Sequence, residues 1–192
     1  MIARMPVITF HHDLPLELTM VFEALYSEGE RLDLAEKQKM RDTPGAIFVW
    51  MFVDGGLAGE TYGIPLETGS PGLTDLPESE RQAAIHCYSN SMLPPFQHLG
   101  LGKILKAHWM GMAAAKGFKT VYGYARPGAS QKLNASLGAV FLCGFANWCG
   151  YRRRIQALPA SAGMKTPNLT TDGTDNTDLH GSKIRVIRVD PW

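Results

Sequence analysis

The stretch that decides the fold of this 192-residue chain is residues 93–103, which read LPPFQHLGLGK. It lies between a predicted strand and a predicted amphipathic helix. Gly100 and Gly102 let the backbone approach a ligand closely, and the free N–H groups at the start of a helix attract anions. The spacing fits neither a P-loop nor a dinucleotide fingerprint. These residues therefore predict a site for a phosphate, a diphosphate or a carboxylate, unless the two glycines only make a tight turn.

Strands and helices alternate on both sides of this stretch. Before it, the hydrophobic pattern predicts a strand at 6–10, a helix that begins at Asp13 or Pro15, a polar surface helix at 30–40, a hairpin of 46–53 and 57–66, and a strand at 83–92. After it, the pattern predicts a helix at 100–116, a strand at 119–125, a helix at 129–137, and strands at 139–145 and 151–158.

The charge balance and the cysteines exclude several classes of protein. Lys and Arg number 19 against 18 Asp and Glu, so no strong global charge favours nucleic acid or an acidic membrane. No apolar run approaches the ~18 residues of a membrane span, and residues 1–6 lack the features of a secretion signal. Three cysteines without a CxxC pair argue against a disulfide framework, and adjacent His11 and His12 point apart on a strand. We expect a soluble cytoplasmic protein without a metal or a membrane contact.

Composition divides the chain into three parts. Residues 1–158 carry the periodic segments and form one predicted domain, whereas residues 159–182 are rich in Ser, Thr, Asn, Asp, Gly and Pro and are predicted to be a linker. Residues 183–192 return to strand character with apolar groups on both faces. Such a strand pairs either with its own sheet or with a partner subunit, and we expect it at or near a homodimer interface.

The loop resembles the Q/R-x-x-G-x-G/A pyrophosphate loop of the GCN5-related N-acetyltransferases, here Gln97-x-x-Gly100-x-Gly102. Pro94 matches a proline that often precedes that loop, and Leu137-Gly138 matches part of a second family element. The order of the elements agrees from about residue 6 to residue 158. The resemblance implies an α/β fold with a central twisted mixed sheet of about six or seven strands flanked by about four helices.

The resemblance also implies acetyl-CoA, or another acyl-CoA, as co-substrate. Its diphosphate would lie on the loop, and backbone groups of Met92 and Leu93 would bond the pantetheine arm between the strands at 83–92 and 119–125. The N–H of Met92 would polarise the thioester carbonyl. The residues implied in cofactor binding are Met92, Leu93, Gln97, His98, Leu99, Gly100, Leu101, Gly102 and Lys103.

His86 is the first candidate for the general base. It stands eleven positions before Gln97, where the histone acetyltransferase branch has a glutamate, and an imidazole takes up protons near neutrality. Alternation along the strand places Tyr88 and Asn90 on its face. A half-buried structural histidine is the equal alternative. Glu60 is the rival base, although a carboxylate in a sheet is often a solvated edge residue.

The acid that protonates the leaving thiolate is less well defined. Many family members have a tyrosine where this chain has Asn134, and an amide cannot donate a proton in acid catalysis. Tyr122 or Tyr124 would then take that role, or the thiolate would leave unaided.

The resemblance implies transfer of an acyl group to a primary amine by direct attack in a ternary complex. The acceptor could be a small molecule, a protein lysine or an N-terminus; the near-neutral charge disfavours an amine carried on a nucleic acid. Asn134 supports an alternative, a CoA-binding or interaction module of this fold without catalysis.

Overall fold

The structure of the chain is a computed structural model, and it describes residues 5–66, 77–145, 148–155 and 185–186. The elements in chain order are β1 Val7–His11, α1 Leu16–Thr19, α2 Leu34–Arg41, β2 Ile47–Val53, β3 Gly56–Pro65, α3 Glu78–Gln82, β4 Ala84–Met92, α4 Leu101–Ala115, β5 Thr120–Ala125, α5 Ala129–Ser136, β6 Val140–Phe145, β7 Trp148–Arg154 and β8 Arg185–Val186. Short 3-10 helices occupy Met20–Leu25, Glu28–Glu30 and Pro94–Phe96.

The strands form one sheet in the order β6-β7-β5-β4-β3-β2-β1-β8. Among the described strands, β4 pairs with β5 and β1 with β8 in parallel, and the other neighbours are antiparallel. Helices cover both faces of the sheet. The predicted mixed α/β class is therefore confirmed, with β8 as a two-residue addition to the predicted six or seven strands.

The hairpin of β2 and β3 is confirmed at its predicted turn. Asp54 and Gly55 have φ values of 50° and 82°, which is the left-handed pair that a two-residue hairpin turn requires. The turn is tied to β1, because the Val7 N–H donates to Asp54 Oδ1 at 2.9 Å and the Asp54 N–H donates to the Val7 carbonyl at 2.8 Å. The start of the sheet is thereby held in register.

Each face of the sheet has its own hydrophobic core. Helix α4 packs its buried Leu105, Trp109 and Ala113 against one face, together with the core residues of β1, β2 and β5. Its cap is as predicted, because Gly117 has φ +91° and the Phe118 N–H donates to the Ala113 carbonyl at 3.0 Å. The opposite face is covered by α1, α2 and the 3-10 helix between them, which bury aromatic side chains of β2 and β3.

The helix predicted at the surface for residues 30–40 does lie at the surface, but it begins later than predicted and buries one charged side chain. It is α2, which begins after an Asp33 capping box, where the Asp33 side chain accepts from Glu36 N and the Glu36 side chain accepts from Asp33 N. Lys37 in α2 is 0% exposed. The stretch predicted as one helix from Asp13 or Pro15 is instead α1 followed by a 3-10 helix. Strand β7 begins at Trp148, three residues before the predicted start.

The predicted linker at 159–182 lies outside the described residues. Of the predicted C-terminal strand, residues 185–186 are described, and their backbone pairs in parallel with Val7 and Ile8 of the same chain. The division into domains and the homodimer remain predictions. None of the helices in the described ranges is both long and apolar enough to span a membrane.

Candidate functional site

The site is built around a gap between β4 and β5. The two strands pair in parallel from Ala84 opposite Thr120 to Cys87 opposite Gly123, and beyond that pair the described residues show no ladder between them. Strand β4 continues to Met92 along β3, whereas β5 follows β7 to its end at Ala125. The edge of β4 after Cys87 therefore faces an opening between diverging strands.

The backbone of Met92 is directed into this gap. The Leu93 N–H donates to the Ala58 carbonyl of β3 at 2.9 Å. Because N–H groups alternate between the two edges of a strand, the Met92 N–H faces the β5 side. The Met92 carbonyl accepts from Gln97 Nε2 at 2.9 Å, which ties the loop to the end of β4. Two backbone N–H groups were predicted to bond the pantetheine arm. That of Leu93 already donates to β3, whereas that of Met92 faces the gap.

The predicted loop turns into α4 through two left-handed residues. His98 has φ +63° and Gly100 has φ +75°, and Gly100 is the N-cap of α4 without a side-chain cap. A Cβ on Gly100 would meet nothing within 4 Å, whereas one on Gly102 would lie 3.3 Å from Leu133 and 3.5 Å from Met92. The Lys103 N–H closes the first turn onto the Gly100 carbonyl at 3.1 Å. The first turn of α4 thus presents backbone N–H groups next to the gap.

His86, Tyr88 and Tyr124 come together where the two strands part. The rings of His86 and Tyr88 have centroids 4.2 Å apart, and Tyr124 approaches His86 edge-on at 5.7 Å. His86 is 4% exposed. Burial, with a smaller contribution from the positive charge of Lys106, lowers the pKa of His86 to about 4. Its imidazole is therefore neutral at pH 7 and is a weak base.

A β-bulge corrects the predicted side of Asn90. Tyr62 pairs with Ser89, but the next residue of β3, Gly63, pairs with Cys87, so β4 carries one extra residue. The alternation shifts, and Asn90 turns to the α4 face, where its Nδ2 donates to the Gly102 carbonyl at 3.4 Å. Ser89 and Ser91 take its place on the face of Glu60 and Tyr62.

Glu60 lies in a buried charge cluster, and the expectation of a solvated edge residue was wrong. Strand β3 is internal to the sheet and Glu60 is 0% exposed. Lys37 Nζ donates to Glu60 Oε1 at 2.9 Å and to Glu23 Oε1 at 3.0 Å, and Trp50 Nε1 donates to Glu60 Oε2 at 2.7 Å. Burial raises the pKa of Glu60 to about 7 against the opposing effect of Lys37.

Sequence analysis missed a group of hydroxyls on the same face. Tyr26 Oη lies 2.9 Å from Ser89 Oγ and 2.8 Å from Ser91 Oγ, and the two serine oxygens are 3.1 Å apart. Ser91 is also the register partner of Glu60. Arg126, one residue beyond β5, packs over the Tyr26 ring at 5.5 Å and forms an ion pair with Glu30. Residue spacing carries no signal for this group, because the bulge that places the serines is not visible as a pattern.

The two tyrosines proposed as acids lie in different surroundings. The Tyr122 hydroxyl donates to Glu80 Oε1 at 2.5 Å, and burial together with that carboxylate raises the pKa of Tyr122 to about 12. Tyr124 lies beside His86 beyond the last β4–β5 pair. Asn134, at the position of the family tyrosine, is 6% exposed and donates through Nδ2 to the Ser130 carbonyl at 2.9 Å. Of these groups, Tyr124 is placed at the gap.

Similarity to known proteins is found in structure and not in sequence. No known family profile and no curated protein matches the sequence. The phosphinothricin acetyltransferase of Sinorhizobium meliloti, solved with acetyl-CoA, has a TM-score of 0.59 at 17% identity, over 85% of this chain and 97% of its own. Ard1 of Thermoplasma volcanium has a TM-score of 0.60 at 14% identity, over 78% of this chain and 98% of its own.

A GNAT-family acetyltransferase of Staphylococcus aureus has a TM-score of 0.57 at 12% identity, over 78% of this chain and 99% of its own. These likenesses cover nearly the whole of each related protein. The chain therefore has the fold of the GCN5-related N-acetyltransferases.

Proposed function

We propose that this protein is an acyl-CoA-dependent N-acyltransferase that transfers acetyl from acetyl-CoA to a primary amine by direct attack in a ternary complex. The proposal rests on one observation: three features of the site adjoin one another. The uncapped first turn of α4 borders the β4–β5 gap, and the gap leads to the cluster of His86, Tyr88 and Tyr124. Two acetyltransferases of similar structure, one of them solved with acetyl-CoA, support it.

The backbone accounts for how such a co-substrate would bind. The N–H groups and the helix dipole at the start of α4 favour the negative charge of a diphosphate. An extended pantetheine arm can take up the strand-edge hydrogen bonds that β5 leaves unmade beyond Cys87. The Met92 N–H would donate to the arm at the start of that path, next to the loop, whereas the thioester would lie further along β4, towards His86.

His86 is the proposed proton acceptor and Tyr124 the proposed donor to the thiolate. His86 is neutral over the whole physiological range and lies at the point where the arm would end. The ammonium of the tetrahedral intermediate is more acidic than that of the free amine, so a base weaker than the amine can accept its proton. Glu60 has the pKa better matched to neutral pH, but both of its oxygens already accept hydrogen bonds from Lys37 and Trp50.

Transfer from labelled acetyl-CoA to a panel of amines tests the proposal. The panel holds small primary amines, lysine peptides and peptides with free N-termini, and mass spectrometry detects the acetylated products. The alternative function is CoA binding without catalysis, which the inward-turned Asn134 favours. Calorimetric binding of acetyl-CoA with no acetylated amine and no release of free CoA would establish that alternative. Absence of binding would overturn both functions.

We expect His86→Ala to lower kcat by about 100-fold, which is the loss typical of removing one general base, and to leave the Kd for CoA unchanged. His108→Ala is the control, because His108 of α4 stacks on Phe10 of β1 and has no proposed role in transfer. Stopped assays at saturating acetyl-CoA give kcat, and calorimetry gives Kd. Equal rates for the two variants would remove His86 from the mechanism.

The pH profile separates His86 from Glu60. With His86 as proton acceptor, we expect log kcat of the wild type to stay level from pH 8 to pH 5 and to fall only towards pH 4. A limb near pH 7 that disappears in Glu60→Gln would assign the role to Glu60 instead. We measure kcat at saturating amine for both proteins, so that ionisation of the amine substrate affects the two pH profiles equally.

A further inference from the structure

A buried cysteine and a buried lysine meet on the α4 face of the sheet, opposite the face of the charge cluster. Cys87 in β4 is 5% exposed and Lys106 in α4 is 2% exposed. Lys106 Nζ lies 2.5 Å from Cys87 Sγ and 3.1 Å from the Tyr151 hydroxyl. Gly123 makes the space for Tyr151, because a Cβ there would lie 2.6–2.9 Å from the Tyr151 hydroxyl and ring. The proposed transfer reaction uses none of these side chains.

The contact between the sulfur and the nitrogen is closer than a hydrogen bond requires. Nitrogen–oxygen hydrogen bonds lie at about 2.7–3.2 Å, and sulfur is a larger atom than oxygen. The distance corresponds to the span of two single bonds that meet at one oxygen atom. Burial opposes the Lys106 ammonium, but the Cys87 thiol and the Tyr151 hydroxyl raise the pKa of Lys106, so the nitrogen meets the sulfur as a cation.

We propose that Cys87 and Lys106 are a redox modification site at which hydrogen peroxide forms an S–O–N cross-link. One peroxide oxidises the Cys87 thiol to a sulfenic acid and releases one water. A second peroxide oxidises the pair further: the sulfenic O–H and two N–H bonds of the Lys106 ammonium break, an O–N bond forms, and one water and one hydronium ion leave. The sum is thiol plus ammonium plus two peroxides to S–O–NH plus two waters and one hydronium ion, with four electrons passing to the peroxides.

The gap beside the pair gives peroxide a route to Cys87. A cross-link there would also join two elements that border the gap. Cys87 is the last residue of β4 that pairs with β5, so the gap between the strands opens directly beside it. Lys106 lies in the second turn of α4, which begins with the glycine turn at the mouth of the gap. A bond between the two side chains fixes α4 onto β4 next to the gap, and a thiol reductant would release it.

Intact mass spectrometry of the full-length protein tests the proposal without any assay of transfer. In a Cys143→Ser, Cys149→Ser background, Cys87 is the only remaining cysteine of the three. We expect peroxide to add about 14 Da, for one oxygen gained and two hydrogens lost, and dithiothreitol to reverse the gain. Proteolysis should yield one linked pair of peptides that contain Cys87 and Lys106.

Two lysine variants make the test specific. Lys106→Arg keeps the positive charge but should lose the linked peptides, whereas Lys103→Arg, on an exposed position of the same helix, should keep them. A gain of about 16, 32 or 48 Da without linked peptides would place Cys87 on the ordinary oxidation ladder and overturn the proposal. An unchanged mass would also overturn it. A loss of about 2 Da with linked peptides would show a direct S–N bond and overturn the bridging oxygen.

Discussion

Gly100→Asp is expected to weaken the binding of CoA by at least about 100-fold while leaving a folded protein. Asp tolerates the left-handed conformation that Gly100 adopts, and its Cβ would meet no atom within 4 Å. The new carboxylate would lie at the N-terminus of α4, where it occupies the N–H groups of the first turn and repels a diphosphate. Calorimetry with CoA measures the loss.

Gly100→Asn separates charge from shape, because the Asn side chain has the same size and tolerates the same backbone conformation. We expect this variant to lose much less affinity than Gly100→Asp. Gly111→Asp adds the same charge in the middle of α4, at a site where a Cβ also meets nothing within 4 Å, and should bind CoA like the wild type. Equal affinities for Gly100→Asp and the wild type would refute a diphosphate site at this turn.

Local sequence signals predicted the parts of the fold that short-range geometry decides. The Asp54-Gly55 turn needs two left-handed residues in succession, and Asp-Gly is a pair that supplies them. Gly117 ends α4 for the same kind of reason, since a left-handed residue closes the last turn of the helix. The glycine turn into α4 was also visible, because its residues are contiguous in the sequence.

The parts that sequence analysis missed depend on contacts between distant residues. Lys37 is buried because Glu23 and Glu60, which are 14 and 23 residues away, accept its hydrogen bonds. A polar helix segment by itself predicts exposure. Likewise, the bulge in β4 follows from pairing with β3, and one extra residue moved Asn90 to the other face while bringing Ser89 and Ser91 next to Tyr26. Alternation within β4 alone could not show that shift.

Lys37→Met is expected to lower the free energy of unfolding by about 3–5 kcal/mol at pH 8, the cost typical of removing one partner from a buried ion pair. The substitution keeps an unbranched side chain of good helix propensity but leaves Glu23 and Glu60 facing each other without a cation. Urea denaturation followed by circular dichroism measures the change. Lys39→Met is the matched control, since Lys39 is exposed on the same helix and its loss should cost less than about 0.5 kcal/mol.

The pH dependence and a second substitution show whether charge is the cause of that loss. The folded-state pKa of Glu60 is raised, so the folded protein binds more protons than the unfolded chain between about pH 4.5 and pH 7. Because of this group, the free energy of unfolding falls as the pH rises through that window, and Glu60→Gln should remove this part of the slope.

For the same reason, Lys37→Met should cost less stability at pH 5 than at pH 8. Adding Glu60→Gln to Lys37→Met should restore part of the lost stability. An equal cost at both pH values, unaffected by Glu60→Gln, would attribute the destabilisation to packing and would contradict a charge cluster held together by Lys37.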